Sequence, residues 1–178
     1  MEPYIGQVED TILGQDFLTW LWFKSETTNG QFVSRHGELF SMFMEHRVSV
    51  QGGEGDALET AVVSGAMSEL KEARLGLSMG KKVVRAQVRI ELNDEAETWM
   101  ASIKADDLSI SSLKTPKIEA GKDEGDDPDA RFLEKFYLIE RFTEFFDSVY
   151  QTFLELRLGP GWSREVEGLR NWLAQEHE

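Results

Sequence analysis

The chain has no cysteine, and only three histidines and four prolines, in 178 residues. Without cysteine there can be no disulfide, no thiolate nucleophile and no cysteine-ligated zinc or iron–sulfur site, and a reducing intracellular setting is expected. His36, His46 and His177 are too scattered for a metal site or a triad to be read from their spacing. No stretch approaches the roughly 18 apolar residues of a membrane span, and Met1-Glu2-Pro3-Tyr4-Ile5-Gly6 has neither a basic flank nor an apolar run. The expectation is a soluble, cytoplasmic protein with no membrane partner. His-Glu-x-x-His, Gly-x-Ser-x-Gly and Gly-x-x-x-x-Gly-Lys-Ser/Thr are all missing, which removes the signatures of zinc protease, hydrolase elbow and phosphate loop. A protein that is not an enzyme and carries no cofactor or metal is expected. Gly52-Gly53-Glu54-Gly55 is flanked by strand-like patterns and reads as a hairpin loop.

Positive charge is scarce as well. Nineteen lysines and arginines face 33 aspartates and glutamates, for a net charge of −14. Such a balance opposes binding of polyanions, whose phosphates are held by Lys and Arg. Part of the excess is local: Glu119, Asp123, Glu124, Asp126, Asp127 and Asp129 sit together against Lys122 alone. That window lacks the spacing of a calcium loop, and residues 118–130 are predicted to form an exposed, mobile acidic loop.

What is abundant is apolar surface: 40% hydrophobic residues, with 11 Phe and 5 Trp, in a chain long enough to bury roughly 70% of its unfolded surface as one domain over 1–178. Asp16 is a plausible N-cap for a buried helix through Phe17, Leu18, Trp20, Leu21 and Phe23, ended by Thr27-Thr28-Asn29-Gly30. Phe40, Met42, Met44, Val48 and Val50 share one parity over a strand from Leu39 to Val50, and Leu58 to Val63 would return as its hairpin partner. Ser68 can cap a short helix carrying Leu70, Ala73 and Leu77, with Gly80 at its C-terminal end. Asp127-Pro128 opens a long helix to about Leu158, in which Phe132, Phe136, Ile139, Phe142, Phe146, Val149 and Phe153 form an aromatic stripe at three- and four-residue steps. Gly159-Pro160-Gly161 stops it, and Ser163 caps a terminal helix. The predicted fold class is α+β: an antiparallel sheet packed by the long C-terminal aromatic helix and shorter helices.

Between these elements lies the segment that carries a functional hint. In Gly80-Lys81-Lys82-Val83-Val84-Arg85-Ala86-Gln87-Val88-Arg89-Ile90 the even positions Val84, Ala86, Val88 and Ile90 point to a core, and Lys81, Arg85 and Arg89 to the other face. Trp99, Ala101 and Ile103 mark the next strand, and antiparallel pairing would bring Lys104, Lys114 and Lys117 near. Such a patch could hold a phosphate backbone without reading bases; the plainer alternative is an ordinary charged solvent face.

This layout resembles the C-terminal half of the RdgC family of recombination-associated proteins. The likeness lies in Gly80-Lys81-Lys82-Val83-Val84, in Ser112-Leu113-Lys114 with Lys117, in the acidic gap and in Phe136-Tyr137-Leu138-Ile139, with Asp16-Phe17-Leu18-Thr19-Trp20-Leu21-Trp22-Phe23 similar to short RdgC-like chains. The match covers about residues 12–158. It implies a non-enzymatic, nucleoid-associated DNA-binding protein without sequence preference. In that family two subunits close around duplex DNA and restrain RecA recombinase, so a homodimer and a recombination protein are the implied partners. Carried over, the phosphate contacts would be Lys81, Lys82, Arg85, Lys114 and Lys117, with Arg89 added from its strand position. The family's N-terminal half has no counterpart in the match, and the charge of −14 departs from what encircling DNA favours. The alternative implied by that charge is an interaction module whose acidic surface engages a basic partner or mimics DNA toward a DNA-processing protein.

Overall fold

Alternating apolar residues on the strands and a second apolar set on the helices give two layers, with the described helices on one face of an antiparallel sheet. The computed structural model describes residues 13–52, 59–64, 71–92, 96–122, 125 and 127–175. Their order is α1 (Leu13–Thr27), β1 (Gln31–Val33), β2 (Leu39–Gly52), β3 (Glu59–Ser64), α2 (Lys71–Ser78), β4 (Lys82–Leu92), β5 (Glu97–Lys104), β6 (Ile110–Lys114), α3 (Ala130–Arg157) and α4 (Trp162–Ala174). The α+β class expected from the sequence is therefore the fold. Ser68 and Leu70, the tip of the β2–β3 hairpin and Asp123, Glu124 and Asp126 of the acidic window lie outside the described residues.

The sheet order is β1-β2-β4-β5-β6, and β3 also pairs with β2. The long β2 serves β1 with its first residues and β3 with its last, while β4 runs along its other side. Phe40, Met42, Met44, Val48 and Val50 are buried as their parity demands. Two irregularities separate β2 from β4. Between Met44 and Val48 the long strand advances four residues against two on β4, so the inward parity of β2 survives the insertion. Between Ser49 and Val50 the extra residue is on β4, at Val84. This bulge reverses the side-chain alternation there: Val83 is buried and Val84, expected inward, is not.

Helix α1 begins three residues before Asp16, so Asp16 is not its cap; it sits inside the first turn and is buried. Its carboxylate accepts a 3.2 Å hydrogen bond from Nε of Arg157, a side chain with no exposed surface at the end of α3. The guanidinium also lies 5.4 Å from the ring centre of Trp162, the first residue of α4. Gly14 brings the start of α1 onto the sheet, because a Cβ there would lie 1.9 Å from the carbonyl oxygen of Ala105. Gly80, at φ 92°, ends α2 in the left-handed conformation that glycine adopts without steric cost.

Tryptophans fix the layers by donating from their rings. Trp99 of β5 donates to the carbonyl of Leu138 at 2.9 Å and Trp20 to Glu165 at 2.8 Å. Glu26 accepts from both Trp22 at 2.8 Å and Trp172 at 2.7 Å and is paired with Arg74, which stacks on Trp172. Helix α3 is anchored by Leu138, Phe142, Phe145, Phe146, Val149 and Phe153, each burial contributing on the order of 1.5–3 kcal/mol. The expected stripe is realised from Phe142 to Phe153 but not before it: Phe132 and Phe136 are exposed and Ile139 is partly so. In that first part of the helix Glu134 accepts from the backbone N–H groups of Glu119 and Ala120, and Lys135 donates to Thr115. Ile118 packs against the core, so the segment following β6 starts tied to α3, while Glu119, Gly121, Lys122, Gly125 and Asp127 are exposed.

Two consequences are measurable. Removing one member of the Asp16–Arg157 pair strands a buried charge, so Asp16→Leu or Arg157→Met should each cost about 3–5 kcal/mol in urea unfolding, and the double variant less than the sum. Strict additivity would show that the two groups are not coupled. Glu38 accepts hydrogen bonds from both terminal nitrogens of Arg141, at 2.7 and 2.9 Å. That bonding holds its carboxyl below the ordinary value, against a smaller upward push from burial. A depressed carboxyl stabilises the fold above its unfolded pKa and ceases to do so as pH falls through its folded pKa. Glu38→Gln should therefore be less stable than the parent at neutral pH, by at most about 1 kcal/mol for so exposed a pair, and indistinguishable from it in acid well below the ordinary carboxylate range.

Candidate anion-binding face of the sheet

No described helix covers the second face of the sheet, and the side chains that alternate with the core residues project from it. Among the described residues the strands place Arg47, Lys82, Arg85, Arg89, Lys104 and Lys114 there, against the carboxylates of Glu45 and Glu91. Phe43, Val84 and Met100 supply its apolar floor. In a chain of net charge −14 this is an inversion of the bulk composition.

Strand register sets the geometry. Ser49, Arg85 and Lys104 are successive partners across β2, β4 and β5, so two exposed cations stand directly opposite each other. Like charges in that position repel, and the sheet would be more stable without one of them. Lys104 has a carboxylate at 3.8 Å, Asp106, and both side chains are more than half exposed. Ser49, Gln51, Val84, Arg85, Lys104 and Asp106 line a shallow depression of about 420 Å³, opened where the Val84 bulge interrupts the alternation. It offers two cations and the Ser49 hydroxyl, donors that suit an oxyanion such as a phosphate, with the Asp106 carboxylate at its edge beside Lys104.

A second row runs Phe43, Arg89, Met100, Lys114. Here the charge is answered within the protein: Arg89 lies 2.7 Å from Glu45 and 2.7 Å from Glu91, and 5.3 Å from the ring centre of Phe43. Glu45 is buried in the irregularity of β2, so Arg89 is committed to neutralising it.

Of the residues expected from sequence, the face thus gathers Lys82, Arg85, Arg89 and Lys114. Lys81 departs from it: its side chain runs beside Gly52 and Gly76, toward α2 on the opposite side. The bulge is the cause, since Lys81 and Arg85 would share a side only if the strand alternated without interruption. Lys117 follows β6 on the segment that turns toward α3, near Glu119, whose carboxyl is held below its ordinary value chiefly by the hydrogen bond from Lys122 and more weakly by the charge of Lys117. Sequence reasoning does not single out Arg47, although it has the parity of Ser49. Its signal was present but masked by the glutamate and histidine before it. Among the described residues no group of three or more His, Asp or Glu is placed to hold a metal ion.

No family model matches this chain, and no curated protein matches it.

If Arg85 and Lys104 are held together at a cost, Arg85→Thr should leave thermal stability unchanged or raise it by up to about 1 kcal/mol. A clear loss of stability would mean that Arg85 serves the fold and not a ligand.

Proposed function

We propose that the uncovered face of the sheet binds the phosphate backbone of DNA without reading its sequence, and that the protein acts non-enzymatically in the control of homologous recombination. The observation that carries the binding is the exposed Arg85–Lys104 pair, with Lys82, Lys114 and Arg47 on the same face of a strongly acidic protein. The link to recombination rests on the resemblance to the RdgC family, as do a homodimeric state, a recombination protein as partner and a nucleoid location. A sheet face presents a broad surface of cations with no helix to enter a groove, which suits contacts to phosphates rather than base edges. The overall charge opposes the approach of DNA, but at about 0.1 M salt the Debye length is near 10 Å, so a phosphate docked on this face senses chiefly the local cations.

The test is anisotropy of two labelled duplexes of unrelated sequence, titrated with the protein from about 50 to 200 mM salt. Equal affinity for both is expected, with a log–log salt slope of roughly −3 to −4, the value for about four phosphates. Arg85→Glu/Lys104→Glu/Lys114→Glu should abolish binding. Arg131→Glu/Arg164→Glu/Arg170→Glu, which alters exposed arginines of the helix layer by the same total charge, should leave most of it. No binding at low salt, or equal losses in both variants, would overturn the proposal.

A further inference from the structure

On the other side of the molecule α3 presents a surface of opposite character. Phe132, Leu133, Phe136 and Tyr137 are each more than half exposed. At 150–250 Å² for a whole aromatic side chain, the three rings alone leave roughly 350 Å² to solvent. Leu133 and Ile139 bring the area to that of the largest apolar patch on a typical monomer, about 300–600 Å² and often functional.

The patch continues along the helix. Phe132, Phe136, Glu140, Asp147, Leu154 and Leu158 follow one another at steps of four or seven residues, which keeps them on one ridge. Toward the C-terminal end the ridge forms one wall of an open groove of about 920 Å³, whose other wall is Val33 and Arg35. Val33 and Leu158 are exposed by 57% and 63%. The ridge is therefore apolar at both ends and acidic in its middle. Glu140 and Asp147 have no cation within 4 Å among the described residues, and Glu144 beside them reaches Arg141 only at 3.8 Å.

We propose that the outward ridge of α3 docks a basic amphipathic helix of a partner protein, with leucine-like side chains on the apolar ends and lysines or arginines over Glu140, Glu144 and Asp147. Charge complementarity selects this occupant. A second copy of the chain, paired antiparallel along the same ridge, would set Glu144 and Asp147 of one protomer against those of the other. The chain's own residues 1–12 contain Glu2, Glu9 and Asp10 with no lysine or arginine, the wrong sign for this site. An extended helix laid in a groove is a recurrent mode of recognition, read through anchors at whole helical turns.

The probe is a labelled synthetic amphipathic helix of about twenty-six residues, enough at ~1.5 Å per residue to span Phe132 to Leu158, with leucines toward both ends of one face and lysines in its middle. A twin with glutamates for lysines is the control. The lysine peptide should bind and the glutamate twin should not. Phe132→Ser/Phe136→Ser, whose exposed positions leave the urea midpoint unchanged, should weaken binding at least tenfold. Glu140→Gln/Asp147→Asn should weaken it and flatten its dependence on salt. Both variants should keep the DNA affinity of the parent, because the sheet face is untouched. Absent binding, or equal binding by the serine variant, would overturn the proposal. So would a parent that sediments as a dimer and is dispersed by Phe136→Ser, which would make a second copy the occupant.

Discussion

An arginine with no solvent exposure holds the helix layer to itself. Arg157 ends α3, reaches the carboxylate of Asp16 in the first turn of α1 and lies beside Trp162 at the start of α4. A guanidinium in an apolar interior is tolerated only with its charge answered, so these three helix ends have one arrangement in which the desolvation cost is met. Once they are fixed, Phe17 meets Phe146, Tyr150 and Phe153 edge-on or tilted, and Trp20 can direct its ring N–H to Glu165. The apolar stripes supply the driving force, and the polar contacts at their margins, Glu26 and Glu165 among them, choose the register.

Much of the layered core follows from local patterns. The period-two alternation of β2 identifies its buried face correctly even across a two-residue irregularity, because an even insertion returns the strand to the same parity. A one-residue bulge in β4 defeats the same rule at Val83 and Val84, and with them at Lys81. Such a bulge is a property of paired strands, invisible in either strand alone. Asp16 reads as a cap because cap residues are short and polar, yet its true partner lies 141 residues away. The aromatic helix was legible as a helix but not as half-covered. A periodic stripe reports amphipathicity, while the extent of the layer beneath it depends on how many strands lie there and where they end.

The candidate site shows the same division. Basic residues at alternate positions of one strand were visible, and the opposition of Arg85 to Lys104 was expected only in so far as the next strand pairs antiparallel. That Arg89 is spent on a buried Glu45 follows from the irregularity of β2 that sets that glutamate beside it. Charge segregation is therefore a tertiary result: the chain is acidic overall, and folding collects cations on the bare side of the sheet.

The outer strands carry one more implication. β1 is three residues long, and β6 is five residues long with Ser112 at φ 54° and a register shift against β5. Neither offers a straight row of unpaired N–H and C=O groups, and Lys114 projects from the end of β6. At these two edges a neighbouring chain finds a poor template on which to add a strand. Association at these edges is left to side chains, and so to charge and shape rather than to backbone pairing.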